Sequence, residues 1–194
     1  MSKEQAKETR ICRVCGETKP IDQFEVDRRC KKSGRTNRCK ACKAKDNDRY
    51  RATLDGKIVR AFHDAKRRAA KAGVEDTLTI EQLRAVVDFF DGLCPYCNSE
   101  IDKSALTIDH IIAMSLGGKN EAGNITIAHS SCNRRKGNLP LLTFYEREQR
   151  FDDASLYSIV SYMSLVSGKD REDTLKELEE QRRQKGGVSN GLSA

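Results

Sequence analysis

The fold is decided by residues 94–136, which read CPYCNSEIDKSALTIDHIIAMSLGGKNEAGNITIAHSSCNRRK. The segment opens with the pair Cys94-x-x-Cys97, and a second pair, His129-x-x-Cys132, lies near its end. Three thiols and an imidazole, arranged in two pairs with two residues inside each, are typical of a closed tetrahedral zinc site. We therefore predict a structural zinc ion bound by these four side chains.

The stretch enclosed by the two pairs contains two runs of β-branched residues. Residues 106–112 form the first run and residues 124–128 the second, with the Gly-Gly pair at 117–118 between them. Two such runs joined by glycines predict a β-hairpin. A short helix should follow, capped by Ser130 and beginning near Ser131. The expected unit is thus two strands and a helix whose ends are joined by zinc.

In this order the residues resemble the HNH endonucleases, a family with a ββα-metal active site. The resemblance covers about residues 93–138. The matching positions are Asp109, His110, Gly117, Gly118, Asn124, Cys132, Asn133 and Lys136. The sequence departs from the family at His129, where Cys is usual. Because imidazole is an ordinary zinc ligand, this departure is chemically mild.

The resemblance implies a role for the polar residues of the hairpin and helix. His110 would act as the general base, neutral at pH 7 and able to accept a proton from water. Asp109 and Asn133 would bind one divalent cation through oxygen, and oxygen ligands suit Mg²⁺ or Mn²⁺. This cation would stabilise the transition state and the departing 3′ oxygen of a phosphodiester. Asn124 would tie the loop after the first strand and so fix the orientation of the His110 ring.

Strand geometry limits how the Asp-His pair can be used. Neighbouring side chains on a strand point to opposite faces, so Asp109 and His110 can both face one phosphate only where the strand bends or bulges. The imidazole is expected to face water and phosphate instead of a core. The plainer alternatives are an Asp-His pair at a surface turn, and Asn124 as a simple turn residue after Gly123.

A second set of paired cysteines lies near the N-terminus. Cys12-x-x-Cys15 and Cys39-x-x-Cys42 are separated by 23 residues, and they predict a second zinc site in a zinc ribbon or a treble-clef-like finger. Cys30 is left over, either as a free thiol or as a replacement ligand. The region around these pairs resembles a zinc finger found ahead of phage HNH domains.

Positive charge is concentrated in the first third of the chain. Residues 1–72 contain 22 Lys or Arg and 10 Asp or Glu, whereas residues 73–194 contain 14 and 19. The first segment should therefore supply the long-range attraction and counterion release of DNA binding. Within it, a helix with one cationic face is predicted from Asp55 to about Lys71, stopped by Gly73.

The residues predicted to contact DNA lie on this helix and on the short helix after the hairpin. They are Arg60, Lys66, Arg67, Arg68, Lys71, Arg134, Arg135 and Lys136. Cations beside a phosphate site favour contact with the DNA backbone. For the last three, a merely solvated helix face is the alternative.

Three further helices are predicted. Thr79 and Gln82 have the spacing of a capping box, which starts one of them. Residues 153–166 and 170–185 are expected to form an antiparallel pair that breaks at Gly168. A helix-turn-helix DNA reader is the alternative for this pair, but its acidic balance argues against it.

Composition indicates a chain of small modules. With 194 residues, 34% charged and 6% aromatic, and no Trp, one large core is not expected. We predict an α+β fold of small zinc-stabilised modules. The predicted domains are an N-terminal zinc finger at 1–46, a basic helical connector at 47–92, an HNH ββα-metal nuclease module at 93–140, a C-terminal helical region at 141–185 that includes the helical hairpin, and a disordered tail at 186–194.

The cysteines also bear on the cellular compartment. The sequence contains eight cysteines, and no hydrophobic signal segment or membrane-spanning run is recognised in it. The thiols are therefore expected to be metal ligands in a reducing cytoplasm. For a phage-encoded protein, this would be the cytoplasm of the bacterial host.

The combined pattern predicts a metal-dependent endonuclease that acts on double-stranded DNA as a monomer or weak dimer. Its cofactors would be two structural Zn²⁺ ions and one catalytic Mg²⁺ or Mn²⁺. The pairing of finger and HNH module resembles freestanding phage homing endonucleases. The alternatives are an HNH nuclease that assists phage terminase in DNA packaging, a restriction enzyme, and a zinc-dependent DNA-binding regulator with an inactive nuclease fold. A purely structural zinc module would not need the cationic first segment.

Overall fold

The computed structural model describes residues 8–31, 33–102 and 106–186. It confirms the α+β class, because four small antiparallel sheets accompany seven α-helices within those ranges. The strands are β1 (Thr9–Ile11), β2 (Thr18–Pro20), β3 (Phe24–Val26), β4 (Arg35–Cys39), β5 (Leu93–Cys94), β6 (Ser99–Glu100), β7 (Leu106–His110) and β8 (Ile125–His129). The helices are α1 (Lys40–Ala52), α2 (Leu54–Ala72), α3 (Ile80–Phe89), α4 (Ser130–Lys136), α5 (Leu141–Arg147), α6 (Asp153–Ser167) and α7 (Arg171–Gly186).

The chain divides into two compact units, Met1–Thr53 and Leu54–Ala194. The division falls inside the predicted connector, residues 47–92. The reason is that α1 packs on β4 of the first unit, whereas α2 packs on α3 and β7 of the second. The cationic helix α2 therefore belongs to the same compact unit as the β7–β8 hairpin.

In the first unit, two hairpins precede a helix. β1 pairs with β2, and β3 pairs with β4. The small buried cluster of this unit consists of Cys12, Phe24, Cys39 and Cys42. Cys39 is the N-cap of α1, and its thiol accepts a hydrogen bond from the backbone N–H of Cys42. The second cysteine pair thus lies at the start of a helix, which fits the treble-clef-like alternative.

The β7–β8 hairpin lies in the larger core of the second unit. Its pairing is continuous and antiparallel, from Leu106 opposite His129 to His110 opposite Ile125. Most side chains of β8 are buried, and α4 packs on both strands. The predicted order of strand, strand and helix is therefore present.

Two helices pack beside this hairpin. α2 buries Ile58 and Ala65 in the shared core and contacts β7. α3 begins at the predicted capping box, in which the Gln82 backbone N–H donates to the Thr79 hydroxyl and the Thr79 backbone N–H donates to the Gln82 side chain. The capping box fixes the start of α3, and α3 packs on α2 and β8.

Three C-terminal helices complete the second unit. α6 and α7 pack on each other as the predicted hairpin, and the chain turns between them at Gly168, whose φ is +70°. Helix α5 begins after Pro140 and buries three apolar side chains, and it was not expected as a separate helix of this region. Gly186 still belongs to α7, and the rest of the predicted disordered tail, residues 187–194, lies outside the described residues. Within the described ranges, none of the helices has the length and apolar character needed to span a membrane.

Candidate active site

The structure brings together the four predicted zinc ligands of the second unit. The ligand atoms of Cys94, Cys97, His129 and Cys132 all lie within 4.8 Å of one another. The Cys97 Sγ is 3.4 Å from the His129 Nδ1, and the His129 Nε2 is 3.0 Å from the Glu100 carbonyl oxygen. Since the carbonyl can only accept, Nε2 carries the proton and Nδ1 presents its lone pair to the other ligands. Three thiols and one such imidazole fit a tetrahedral zinc ion.

The zinc cluster also explains how α4 begins. Ser130 was the expected cap, but His129 is the N-cap residue and Ser130 is already helical. His129 makes no side-chain capping bond, because its imidazole is directed at the cysteines instead. The predicted cap is therefore wrong by one residue, and the helix starts directly at the zinc cluster.

The first unit contains the other cysteine cluster. The thiols of Cys12, Cys15, Cys39 and Cys42 lie within 4.8 Å of one another, and the Cys12 and Cys42 Sγ atoms are 3.9 Å apart. Backbone N–H groups of Cys15 and Cys39 lower the pKa of the Cys12 thiol to about 6, which favours the thiolate that binds zinc. Cys30 lies outside this cluster. The four predicted cysteines therefore form a set that fits zinc.

Asp109 is held by two buried side chains. The Tyr96 hydroxyl donates to the Asp109 Oδ2 over 2.6 Å, and the Lys136 Nζ lies 3.1 Å from the same oxygen. Burial and the negative charge of Asp109 raise the pKa of Tyr96 well above its usual value, so the phenol stays protonated and donates. The carboxylate is thus fixed in place by groups from the zinc-binding turn and from α4.

Lys136 corrects one prediction. It was expected to contact DNA, but its side chain is 0% exposed. Its ammonium donates to the His110 carbonyl oxygen over 2.7 Å and pairs with Asp109. A buried lysine is tolerated only when it is paired, and loss of one partner from such a pair costs about 3–5 kcal/mol. Lys136 therefore fixes β7 and Asp109 and does not reach a DNA backbone.

His110 is also more enclosed than expected. It is 4% exposed, and its Nε2 lies 3.0 Å from the Oδ1 of buried Asn120, so the expectation of a ring facing open water is wrong. Burial lowers the pKa of His110, and the positive charges of Arg68 and Lys136 add to this effect. The Asn120 hydrogen bond and the charge of Asp109 act in the opposite direction without reversing it. The imidazole is therefore neutral at pH 7.

The β7 strand keeps a regular register as far as His110, without the bulge that would turn both side chains to one face. Asp109 accordingly contacts Tyr96 and Lys136, whereas the His110 ring contacts Asn120. His110 is the last residue of β7, and the chain bends at the next two residues, Ile111 and Ile112, so a bend lies directly after the Asp-His pair.

Asn124 makes the loop contacts that the resemblance implied. Its Oδ1 accepts from the Ile112 backbone N–H over 2.7 Å, and its Nδ2 donates to the carbonyl oxygens of Ile112 and Lys119. The same loop needs glycine at position 118, because a Cβ on Gly118 would lie 1.9 Å from the Ile112 carbonyl oxygen. The loop after β7 is therefore tied closely to the start of β8.

Asn133 lies in the first turn of α4, next to β7. Its Nδ2 donates to the Ile108 carbonyl oxygen over 3.1 Å and to the Thr107 hydroxyl over 3.3 Å. These bonds use the amide nitrogen, so the amide oxygen is left as an acceptor. The carboxamide is anchored at the residue that precedes Asp109.

The remaining predicted DNA-binding residues differ in their surroundings. Arg60 and Arg67 pair with Asp64 on the same helix, and Lys66 pairs with Asp76. Arg68, Lys71 and Arg134 are exposed, and Arg68 is close enough to His110 to lower the pKa of that imidazole. Arg135 is exposed but pairs with Glu148 and donates to the Cys132 thiol. The helix α2 thus presents exposed cations near the end of β7.

Sequence analysis missed two contacts of this site. Tyr96 lies between the zinc cysteines, and aromatic residues at such positions are ordinary core residues, so nothing marked its hydroxyl as a partner of Asp109. Asn120 follows the Gly-Gly turn and looks like a loop residue. A signal for it could have been its place ten residues after His110 in a loop that returns to the strand end.

One segment of the chain matches a known protein family. Residues 94–139 match the family model described as HNH endonuclease, and the segment is an HNH endonuclease domain. No curated protein matches the chain. Among solved structures, the Type II-C Cas9 enzyme from Actinomyces naeslundii is similar to the chain, with 16% sequence identity and a TM-score of 0.36. That similarity covers 75% of this chain and 14% of the Cas9 chain.

Proposed function

We propose that this protein is a metal-dependent endonuclease that hydrolyses phosphodiester bonds of double-stranded DNA. The observation that carries the proposal is the end of β7, where the fixed carboxylate of Asp109 and the neutral imidazole of His110 are adjacent and the chain bends directly after them. A carboxylate for a cation and a neutral base for water are the two groups that phosphodiester hydrolysis needs. The match of residues 94–139 to HNH endonucleases supports this assignment.

The donor set at the strand end suits a hard divalent cation. Asp109 and Asn133 offer carboxylate and amide oxygen, the ligand types that Mg²⁺ and Mn²⁺ prefer. When bound, such a cation supplies Lewis-acid stabilisation of the phosphate and of the leaving 3′ oxygen. The bonds from Tyr96 and Lys136 hold the carboxylate in place before any cation binds.

The chain's own residues then have distinct tasks. His110 accepts the proton of the attacking water at a ring nitrogen. Asn124 holds the loop that follows β7 and thereby keeps the strand end in its conformation. Lys136 fixes both the His110 backbone and the Asp109 carboxylate. Water attacks phosphorus and the bond between phosphorus and the 3′ oxygen breaks, which gives products with a 5′ phosphate and a 3′ hydroxyl.

DNA binding is proposed to rest on the cationic first third and on α2. The exposed cations of α2 are on the same compact unit as the proposed catalytic residues. Arg68 lies near His110, and a phosphate bound there would be close to the strand end. Arg134 is a further exposed cation on α4. Phosphate contacts of this kind position a duplex without reading its sequence.

The double variant R67A/K71A of the full-length chain is expected to bind duplex DNA more weakly on every sequence. A plot of the logarithm of the binding constant against the logarithm of the salt concentration should become less steep by about one to two units. The reason is that each lost phosphate contact removes roughly 0.9 from the slope. Fluorescence anisotropy over a series of salt concentrations measures both effects. The control is the double variant K169A/K176A. Lys169 precedes α7 and Lys176 lies on it, in the acidic C-terminal pair of helices. Equal losses in both double variants would contradict binding through α2.

The direct test of the proposed function is incubation of the purified chain with supercoiled plasmid. Added Mg²⁺ or Mn²⁺ should convert the plasmid to the nicked form, because one chain offers one such site. Chelation of the added cation should stop the reaction while elemental analysis still finds zinc. A protein that binds the plasmid but leaves it intact under all these conditions would instead fit a regulator with an inactive nuclease fold.

We further propose that the biological role is that of a phage homing-type endonuclease. This rests on the combination of an N-terminal four-cysteine cluster with an HNH domain in one short chain. Cleavage of one defined site in an otherwise uncut genome would support the homing role. Cleavage without site preference would favour a role in packaging or restriction.

A further inference from the structure

Four side chains of the second unit form a continuous chain of polar contacts that ends at the His110 ring. The Lys66 Nζ lies 2.7 Å from the Asp76 Oδ2. The Asn120 Nδ2 donates to the Asp76 Oδ1 over 2.9 Å, and the Asn120 Oδ1 lies 3.0 Å from the His110 Nε2. The contacts connect α2, the segment before α3, the loop after β7 and the end of β7.

The chemistry of Asp76 decides which way the Asn120 amide points. Burial raises the pKa of Asp76, but hydrogen bonds from Lys66 and Asn120 and the charge of Lys66 outweigh it, so the net pKa is lowered and Asp76 is ionised. An ionised carboxylate only accepts hydrogen bonds. The NH₂ group of Asn120 must therefore face Asp76, and its oxygen must face His110.

The orientation of Asn120 in turn decides where the proton of neutral His110 lies. An amide oxygen only accepts, so the Nε2 of His110 must carry the hydrogen, and Nδ1 keeps the lone pair. Among the described residues, the buried side-chain polar atom without a hydrogen-bond partner is the Ser161 Oγ. The His110 Nδ1 is not one of these atoms and makes no hydrogen bond within that part of the chain, so it is not fully enclosed, although the residue as a whole is buried.

The backbone of Asn120 is fixed independently of its side chain. Its N–H donates to the Glu75 carbonyl oxygen, and its own carbonyl accepts from the N–H groups of Thr77 and Leu78. These bonds would form with most residues at position 120. The loop is therefore anchored by the backbone, and the fully buried carboxamide serves the contact between Asp76 and His110.

We propose that Asn120 and Asp76 are positioning residues that hold His110 in the Nε2–H tautomer and so leave Nδ1 as the proton acceptor for the attacking water. Lys66 completes the arrangement by pairing with the Oδ2 of Asp76, the oxygen that Asn120 does not contact. We assign Lys66 to this contact and not to DNA binding. The role of Nδ1 as the base rests on the proposed nuclease function. The tautomer itself does not depend on that function and follows from the contacts of Asn120 with His110 and with ionised Asp76.

Replacement Asp76→Asn tests the proposal sharply. Lys66 can only donate, so the oxygen of the introduced amide turns to Lys66 and its NH₂ turns to Asn120. Asn120 then flips, presents its NH₂ to His110, and forces the proton onto Nδ1. We expect the rate of plasmid nicking to fall by about 10- to 100-fold, as for partners that orient a functional imidazole, with unchanged affinity for DNA.

The tautomer can be read directly by ¹⁵N NMR of the full-length chain at a pH above the imidazole pKa. The chain has three histidines, which makes assignment of His110 feasible. Wild type should show a protonated Nε2 and an unprotonated Nδ1, and Asp76→Asn should show the reverse. The double variant D76N/N120D should restore the wild-type pattern, because the introduced carboxylate accepts from both neighbours. Asp173→Asn removes the same charge from a pair with a lysine on α7 and should change neither spectrum nor rate.

The outcomes separate this proposal from the nuclease function. A wild-type His110 protonated at Nδ1 would overturn the positioning role, as would a slower Asp76→Asn variant whose ring nitrogens match wild type. If the spectra behave as expected but no variant cuts DNA in any metal, the positioning role stands and the proposed function fails.

Discussion

We expect that replacing His110 with alanine will slow nicking of supercoiled plasmid by about 10²- to 10⁴-fold, the usual contribution of a general base. Burial keeps this imidazole neutral, so wild type has a proton acceptor at the strand end that the variant lacks. Binding of the duplex should be unchanged, because the cations of α2 are untouched. The measurement is the single-turnover nicking rate with saturating protein and added Mg²⁺ or Mn²⁺.

The control for this experiment is His63→Ala, which removes an exposed imidazole from α2 and should cut at the wild-type rate. Because His110 is enclosed, its removal also leaves the buried Asn120 amide oxygen without its donor, at a cost of about 1–3 kcal/mol. Thermal melting and zinc content should therefore be recorded for both variants. Cleavage by a folded His110→Ala protein at the wild-type rate would show that another group is the base.

We expect that replacing Cys94 with serine will unfold the second unit and lower the zinc content from the predicted two ions per chain to one. Cys94 is fully buried among the four ligands, and a structural zinc ion contributes about 10–16 kcal/mol to the folding of a small domain. This exceeds the total stability of most small domains. Elemental analysis gives the zinc content, and circular dichroism with thermal melting gives the loss of folded structure.

Cys30→Ser is the matched control, because Cys30 lies outside both clusters. It should keep two zinc ions and the wild-type melting curve. A wild-type protein with one zinc ion or none would refute the two-site interpretation. A Cys94→Ser protein that melts like wild type would show that the cluster does not hold the fold together.

The parts of the structure that follow from short patterns could be predicted from the sequence. The capping box at Thr79, the left-handed turn at Gly168 and the hairpin around the Gly-Gly turn each depend on a few neighbouring residues. The paired cysteines were informative for the same reason, since two residues between ligands suit a single metal ion. Local chemistry determines these features, so no knowledge of distant residues was needed.

The features that the sequence did not reveal depend on contacts between distant residues. Asp76 and Asn120 are 44 positions apart, and neither has a neighbour in sequence that marks it as a partner of the other. Lys136 follows two arginines and looked like part of an exposed cationic face, but the fold encloses it against Asp109. Helix α5 was not recognised because seven residues after a proline are too few to show a clear apolar periodicity.

Helix α4 should tolerate neither insertions nor deletions of residues in the course of evolution. Within one turn and a half it carries the zinc ligand Cys132, the β7-binding Asn133 and the buried Lys136. A helix advances by about 100° per residue, because 3.6 residues complete a turn. One inserted or deleted residue between these positions would therefore rotate one of the three side chains away from its partner. Many single substitutions elsewhere on the helix would leave all three in place. Relatives of this protein should vary in length in the loops that flank α4 and keep the spacing inside it constant.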